Sequence, residues 1–252
     1  MHFTSENHID DIVERNFILG GIRGILWTPR AAGTIRSIPL VLAGQPGGPA
    51  SLDQTRSRLF PRAQRAAAAG IATATIELPG SGKRPEPDGV AQARIEMREA
   101  VTTGQPVTDS VIDRLVLPLV DQAVPDWQAT LDALLAMPEF DGRIGYAGGV
   151  VSIGIRLAAT DPRIAAAALF AGSFVPRSIL EQARRVTIPV HVLLQWDDEG
   201  NDRNMALQLF DAFGSHDKTL NANMGGHTGV PQHAAEEANR FLARHLLTPS
   251  TT

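Results

Sequence analysis

The sequence predicts an α/β domain built on a doubly wound, mostly parallel sheet. Three observations carry that expectation. Apolar runs of strand length, without polar alternation, recur at Ile38–Ala43, Ile71–Leu78, Ile164–Phe170 and Ile188–Gln195; such runs mark strands buried on both faces. Helix-length segments follow them, the order of right-handed βαβ units. Unusual polar or glycine-rich turns close the strands at Gln45, Glu77, the stretch after Tyr146, Asp197/Asp198 and His227. In such sheets the carboxyl ends of the strands share one edge, and that edge holds the sites.

Each element has its own signal. Asn16 to Trp27 alternates loosely around Gly20, Gly21 and Gly24 and reads as a hairpin at a sheet edge. Thr28 to Ser37 reads as loop. The strand Ile38–Ala43 ends in Gly44-Gln-Pro-Gly-Gly48, which no regular element continues. Ser57 to Ala69 reads as a helix with Leu59, Ala63 and Ala67 on one face, stopped by Gly70. Ile71–Leu78 ends at Pro79-Gly-Ser-Gly82. Residues 83–124 then break the rhythm. They predict two helices, Ala91 to Val101 and Val111 to Val120, within an insertion long enough to act as a lid. Pro125 is expected to open the next helix, since proline suits the first helical position. Arg143 to Gly154 reads as a buried strand turning sharply into a short helix that ends near Thr160. After the strand at Ile164, a helix is expected at Ser178–Arg184, a strand at Ile188–Gln195, a helix at Arg203–Phe213, a strand at Lys218–Asn223 and a last helix from about Gln232 to Leu246. Thr248 to Thr252 reads as a frayed tail.

The totals bound the function. The chain has 252 residues, 43% hydrophobic and 20% charged, with a net charge of −4. One domain over residues 1–252 is expected, with 83–124 as the lid insertion. A mildly acidic balance without a basic run argues against nucleic acid or an anionic membrane as partner. With no cysteine, there is no thiolate nucleophile, disulfide or cysteine-ligated metal. The opening residues are polar and mixed in charge, unlike a signal peptide, and no apolar run reaches the roughly 18 residues of a membrane span. A soluble, cytoplasmic protein acting on a small molecule is expected, with a homodimer left open. No phosphate-binding or dinucleotide glycine fingerprint follows the first parallel strand, and no His/Asp/Glu group has metal-ligand spacing. No cofactor or metal is expected.

The turns carry a resemblance. Leu42-Ala-Gly-Gln-Pro-Gly-Gly48 is similar to the oxyanion turn of the α/β-hydrolase fold, and Ile76-Glu-Leu-Pro-Gly-Ser-Gly82 to the turn after that fold's fourth strand. Leu194-Gln-Trp-Asp-Asp-Glu199 resembles the acid turn, and Asn223-Met-Gly-Gly-His227 the histidine turn. From Ile38 onward the chain resembles this family, in particular bacterial members near the dienelactone hydrolases. The resemblance implies the order nucleophile, acid, histidine. It implies His227 as the general base and Asp198 as the carboxylate that fixes its tautomer, with Asp197 as the competing acid. Gly47 becomes a candidate oxyanion donor. Gln45 stands where the family often has histidine, either on a substrate carbonyl or tied to backbone. Glu77 stands where the family often has aspartate, and a structural role is favoured over a catalytic one.

The nucleophile departs from the pattern. The family's elbow is small-x-Ser-x-small. Laid on the strand without gaps, Gly148-Gly-Val-Val-Ser152 fills it, and Val150 takes the serine position. Val151 N–H then becomes the second oxyanion donor. Sliding two residues makes Ser152 the nucleophile but puts β-branched Val150 where glycine belongs. The first register is favoured and implies an enzyme acting on a small, partly hydrophobic carbonyl compound without serine attack, of lyase, cyclase or isomerase type. The alternative is a serine esterase or lactonase using Ser152, His227 and Asp198. A second alternative is an inactive small-molecule binding protein.

Overall fold

The structure is a computed structural model that describes residues 1–30, 37–172, 174–227 and 229–247. Most of the loop expected at Thr28–Ser37, and the tail at Thr248–Thr252, lie outside the described residues. The chain runs β1 (His2–Ile9), β2 (Ile12–Leu19), β3 (Ile22–Pro29), β4 (Ile38–Gly44), α1 (Leu52–Ala68), β5 (Ala72–Ile76), α2 (Val90–Thr102), α3 (Asp109–Leu135), β6 (Phe140–Gly148), α4 (Val151–Thr160), β7 (Ile164–Phe170), α5 (Arg177–Ala183), β8 (Val190–Gln195), α6 (Arg203–Ala212), β9 (Lys218–Asn223) and α7 (Gln232–Leu247). The sheet order is β1-β2-β3-β5-β4-β6-β7-β8-β9. The first three strands form an antiparallel meander that joins β5 antiparallel; every pairing from β5 to β9 is parallel. This is the α/β class that the apolar runs predict. The carboxyl ends of β4, β5, β6, β8 and β9 therefore share one edge.

Two faces are covered. On one, α1 packs Leu52, Leu59 and Ala63 on Ile25, Trp27 and Ala43, while α7 packs Phe241, Leu242 and Leu246 on Val41, Ala166 and Ala168. On the other, α3, α4, α5 and α6 cover a larger cluster around Leu42, Trp127, Tyr146, Ile153 and Leu169. α1 starts five residues before the expected Ser57 because Ser51 and Gln54 form a reciprocal capping box.

Two further differences have plain causes. β1 was not expected, because seven of its eight residues are exposed and show no apolar alternation. Its backbone pairs with β2 instead, and Phe3 packs edge-on against Phe17. Pro125 does not open a helix. It lies, with Pro118, inside the single 27-residue α3. Each internal proline costs about 3 kcal/mol. Burial of Ile112, Val116, Val120, Trp127, Leu131 and Leu134 along one face of α3, at roughly 1.5–3 kcal/mol each, outweighs that cost. No helix among the described residues is long and apolar enough to cross a membrane.

Candidate active site

The turn from β6 into α4 is built on glycine. Gly148 and Gly149 both have φ of +71°, while Val150 sits at φ −70° and ψ 113° as the residue before the helix. A β-branched side chain is strongly disfavoured at positive φ, so the reversal falls on the two glycines before Val150. Space demands glycine as well. A Cβ on Gly149 would lie 2.6 Å from Gly44 Cα, and Gly44 itself pairs with Gly148 across the sheet. The close approach of these backbones lifts Val150 to the tip of the turn, where it lines a cavity of about 490 Å³ together with His227.

Ser152 lies one residue into α4. It is 1% exposed, its Oγ has no hydrogen-bond partner among the described residues, and it is absent from the cavity wall. The structure thus brings Val150 and His227 to one cavity and leaves Ser152 in the packed first turn of the helix.

The acid and histidine turns are zipped together. Trp196 N–H donates to Asn223 O at 2.7 Å, and Asp197 N–H to Gly225 O at 3.2 Å. The Gln195 side-chain amide donates to Gly226 O at 3.1 Å. Across this seam His227 Nδ1 lies 2.8 Å from Asp198 Oδ2. Asp198 is buried and also accepts from Gly200 N–H at 3.0 Å and from the Asn201 amide at 2.5 Å. Asp197 is exposed, and the carboxylate bonded to the imidazole is that of Asp198. A buried carboxylate with these donors holds one ring nitrogen of His227 and leaves the other, Nε2, for chemistry. The ring packs edge-on against Phe170, centroids 5.4 Å apart. Asn201 and Phe170 both line the cavity and were not singled out in the sequence. Asn201 sits three residues past Asp198 in a tight turn, a spacing that signals side-chain support; nothing in the sequence marks Phe170.

The oxyanion turn supplies backbone rather than side chains. Gly47 lines the cavity, and the place of its missing Cβ is 3.3 Å from Val150 Cγ2. Val151 opens α4, so its N–H has no partner within the helix. Neither the Gly47 nor the Val151 N–H donates to any acceptor among the described residues. Gln45 points away. It is fully buried, donates to Ile76 O at 3.1 Å and accepts from Thr55 Oγ1 at 2.9 Å, tying β4 to β5 and α1. Glu77 is also buried; its Oε1 accepts from Leu52 N–H at 3.3 Å at the start of α1 and lies 3.9 Å from Arg23. A carboxylate there complements the positive helix end. Neither residue lines the cavity.

α2 and the first turns of α3 roof the cavity, contributing Val90, Met97, Leu115, Val116 and Leu119 beside Arg94 and Arg98. Arg84 pins the roof's approach by donating to Glu77 O at 2.6 Å and to Asp126 at 2.7 Å. No group of His, Asp and Glu among the described residues is arranged to hold a metal.

No protein-family model matches the chain, and no curated protein matches it. Solved structures do. A cold-adapted esterase from an Arctic intertidal metagenomic library, in a PEG-bound complex, is 27% identical with a TM-score of 0.75, over 98% of this chain and 100% of that one. Acetyl xylan esterase 1 of a Thermoanaerobacterium species is 14% identical with a TM-score of 0.63, over 96% and 87% of the two chains. An esterase of Pyrococcus furiosus is 12% identical with a TM-score of 0.64, over 97% and 93%. At such identities the last two speak for the architecture alone.

Proposed function

The chain has the α/β-hydrolase fold, and on that premise we propose that it is an enzyme acting on a small, partly hydrophobic ester, lactone or related carbonyl compound, with His227 as general base and no serine nucleophile. The observation that carries this reading is the buried Asp198 holding Nδ1 of His227 at 2.8 Å, with His227 and Val150 lining one cavity. His227 Nε2 takes a proton from water as the water oxygen attacks the carbonyl carbon. The imidazolium is stabilised by Asp198. Negative charge gathering on the carbonyl oxygen is received by the N–H groups of Gly47 and Val151, which have no other acceptor among the described residues. Collapse of the tetrahedral adduct breaks the ester C–O bond, and the leaving oxygen takes the proton back from His227. The same base serves for removal of a C–H proton beside the carbonyl, with the enolate oxygen on the same donors, which keeps the lyase and isomerase chemistries within this reading.

A second reading has Ser152 as the nucleophile of an esterase or lactonase. The 27% identical esterase favours ester cleavage as the reaction class. The packing of Ser152 Oγ weighs against that residue as the attacking group, because the first turn of α4 must open to release it. Steady-state turnover of a panel of short-chain esters and lactones tests both. We expect Ser152→Ala to retain activity and His227→Ala to lose about 10²-fold or more of kcat. Loss of activity in Ser152→Ala with an intact fold moves the reaction to the serine.

A further inference from the structure

A second hollow lies on the opposite face of the sheet, behind the elbow. It is a crevice of about 120 Å³ between α1 and α7, and its wall includes Gly148, whereas Gly149 and Val150 face the first cavity. Its floor follows from strand register. Ala43 on β4 pairs with Ala147 on β6, Ala147 with Ala168 on β7, and Ala168 with His191 on β8. Three alanines in one row leave the covering helices short of side-chain volume to meet, and the row ends on a histidine.

The two ends of this trough are polar and unpartnered. His191 is 1% exposed, and its Nε2 has no hydrogen-bond partner among the described residues. Its ring is held by Phe241, centroids 5.4 Å apart. Burial lowers its pKa, so the imidazole is neutral and its free nitrogen suits a hydroxyl, which either donates or accepts. Toward the other end, Arg62 of α1 reaches over Gly148: its Nη1 lies 2.8 Å from where a Cβ would stand. Arg62 and Arg65 line the crevice, and neither forms an ion pair among the described residues. A buried unpaired nitrogen costs about 1–3 kcal/mol, and the exposed Arg62 and half-buried Arg65 repel each other weakly across solvent. One ligand relieves both.

We propose that this crevice binds a short aliphatic ω-hydroxy carboxylate, with its carboxylate on Arg62, its methylene chain across Ala147 and Ala168, and its hydroxyl on His191 Nε2. β6 and β8 are two strand spacings apart, roughly 10 Å. With a hydrogen bond of about 2.8 Å at each end, an extended six-carbon chain spans roughly 14 Å, so the strand separation sets the lower limit and the long Arg62 side chain takes up the rest. The apolar floor rejects a second charge in the middle of the ligand, and the neutral imidazole rejects a cation at its far end no better than water does, so the cationic mouth sets the head group. Among the described residues the crevice shares only Phe170 with the His227 cavity, and it does not depend on the reaction assigned there.

Isothermal titration calorimetry on the full chain tests this with 6-hydroxyhexanoate, hexanoate and 1,6-hexanediol. The hydroxy acid is expected to bind most tightly. Hexanoate is expected to bind about fivefold more weakly, the worth of one neutral hydrogen bond, and the diol about tenfold more weakly or not at all. Arg62→Gln, a change at the helix surface, is expected to cost the two carboxylates about tenfold. His191→Phe, which keeps a ring against Phe241, is expected to erase the preference for the hydroxy acid over hexanoate. His227→Ala is expected to leave all three affinities as they are. The proposal is overturned if the hydroxy acid does not bind, if Arg62→Gln binds it as tightly as the wild type, or if His227→Ala abolishes binding and so moves the ligand to the first cavity.

Discussion

At the scale of single residues the site depends on what surrounds one imidazole. His227 sits on a glycine turn and is largely exposed, so its orientation comes from its contacts and not from burial. Asp198 holds one nitrogen and Phe170 supports the ring. Asn201 acts one step further out: its amide and the Gly200 N–H fix the Asp198 carboxylate. Asn201→Ala is therefore expected to lower kcat about tenfold and to change KM less, because its amide orients the Asp198 carboxylate that holds the base. A rise in KM at unchanged kcat contradicts this positioning role. The histidine and acid turns were both legible in the sequence, because Gly-Gly-His and Trp-Asp-Asp close strand-length runs. Of the two adjacent aspartates, the resemblance singles out Asp198, and Asp198 is the one that meets the ring; the residues by themselves leave the pair open, since a shift of one residue reverses the direction of a side chain.

At the scale of elements the controlling piece is the β6–α4 turn. Its glycines are required twice, by positive φ and by the approach of the Gly44 backbone. Gly149→Ala is expected to destabilise the fold by about 3 kcal/mol or more in denaturant unfolding, from backbone strain and overpacking together. A loss under about 1 kcal/mol contradicts the packing described for this turn. The elbow's position was readable from the strand and the glycines. Its chemistry was open between two registers, because Val150 and Ser152 lie two residues apart and either satisfies part of the small-x-Ser-x-small pattern. α3 shows the converse. Pro125 reads as a helix start by local preference, yet buried apolar side chains on both sides of it make one continuous helix. Local signals yield where tertiary burial is large.

At the scale of the whole molecule, ion pairs tie the layers. Asp161 ends α4, accepts from the backbone and side chain of Arg163 at the start of β7, and Arg163 also pairs with Asp132 of α3. The Arg163 guanidinium holds the Asp161 carboxyl below the usual aspartate value of 3.8. A depressed carboxyl pKa adds stability that is fully present above the unfolded value and disappears as pH falls through the folded one. Asp161→Asn is accordingly expected to lower Tm at pH 7, with the difference from wild type shrinking below about pH 4. A difference that is constant with pH contradicts the ion-pair account. The sheet, its parallel half and the site edge were all foreshadowed by buried apolar runs. The meander at the N-terminus was only half visible, because an exposed edge strand leaves no apolar pattern to read.

On the proposed reading, the cavity wall pairs the imidazole of His227 with a Val150 side chain that cannot attack. The direct measurement is intact-mass analysis after incubation with a fluorophosphonate, on the wild type and on Val150→Ser. An unmodified wild type is expected, and a single phosphonyl adduct on the variant at its substituted position, since a hydroxyl there lines the same cavity as His227. An adduct on wild-type Ser152 would contradict that reading.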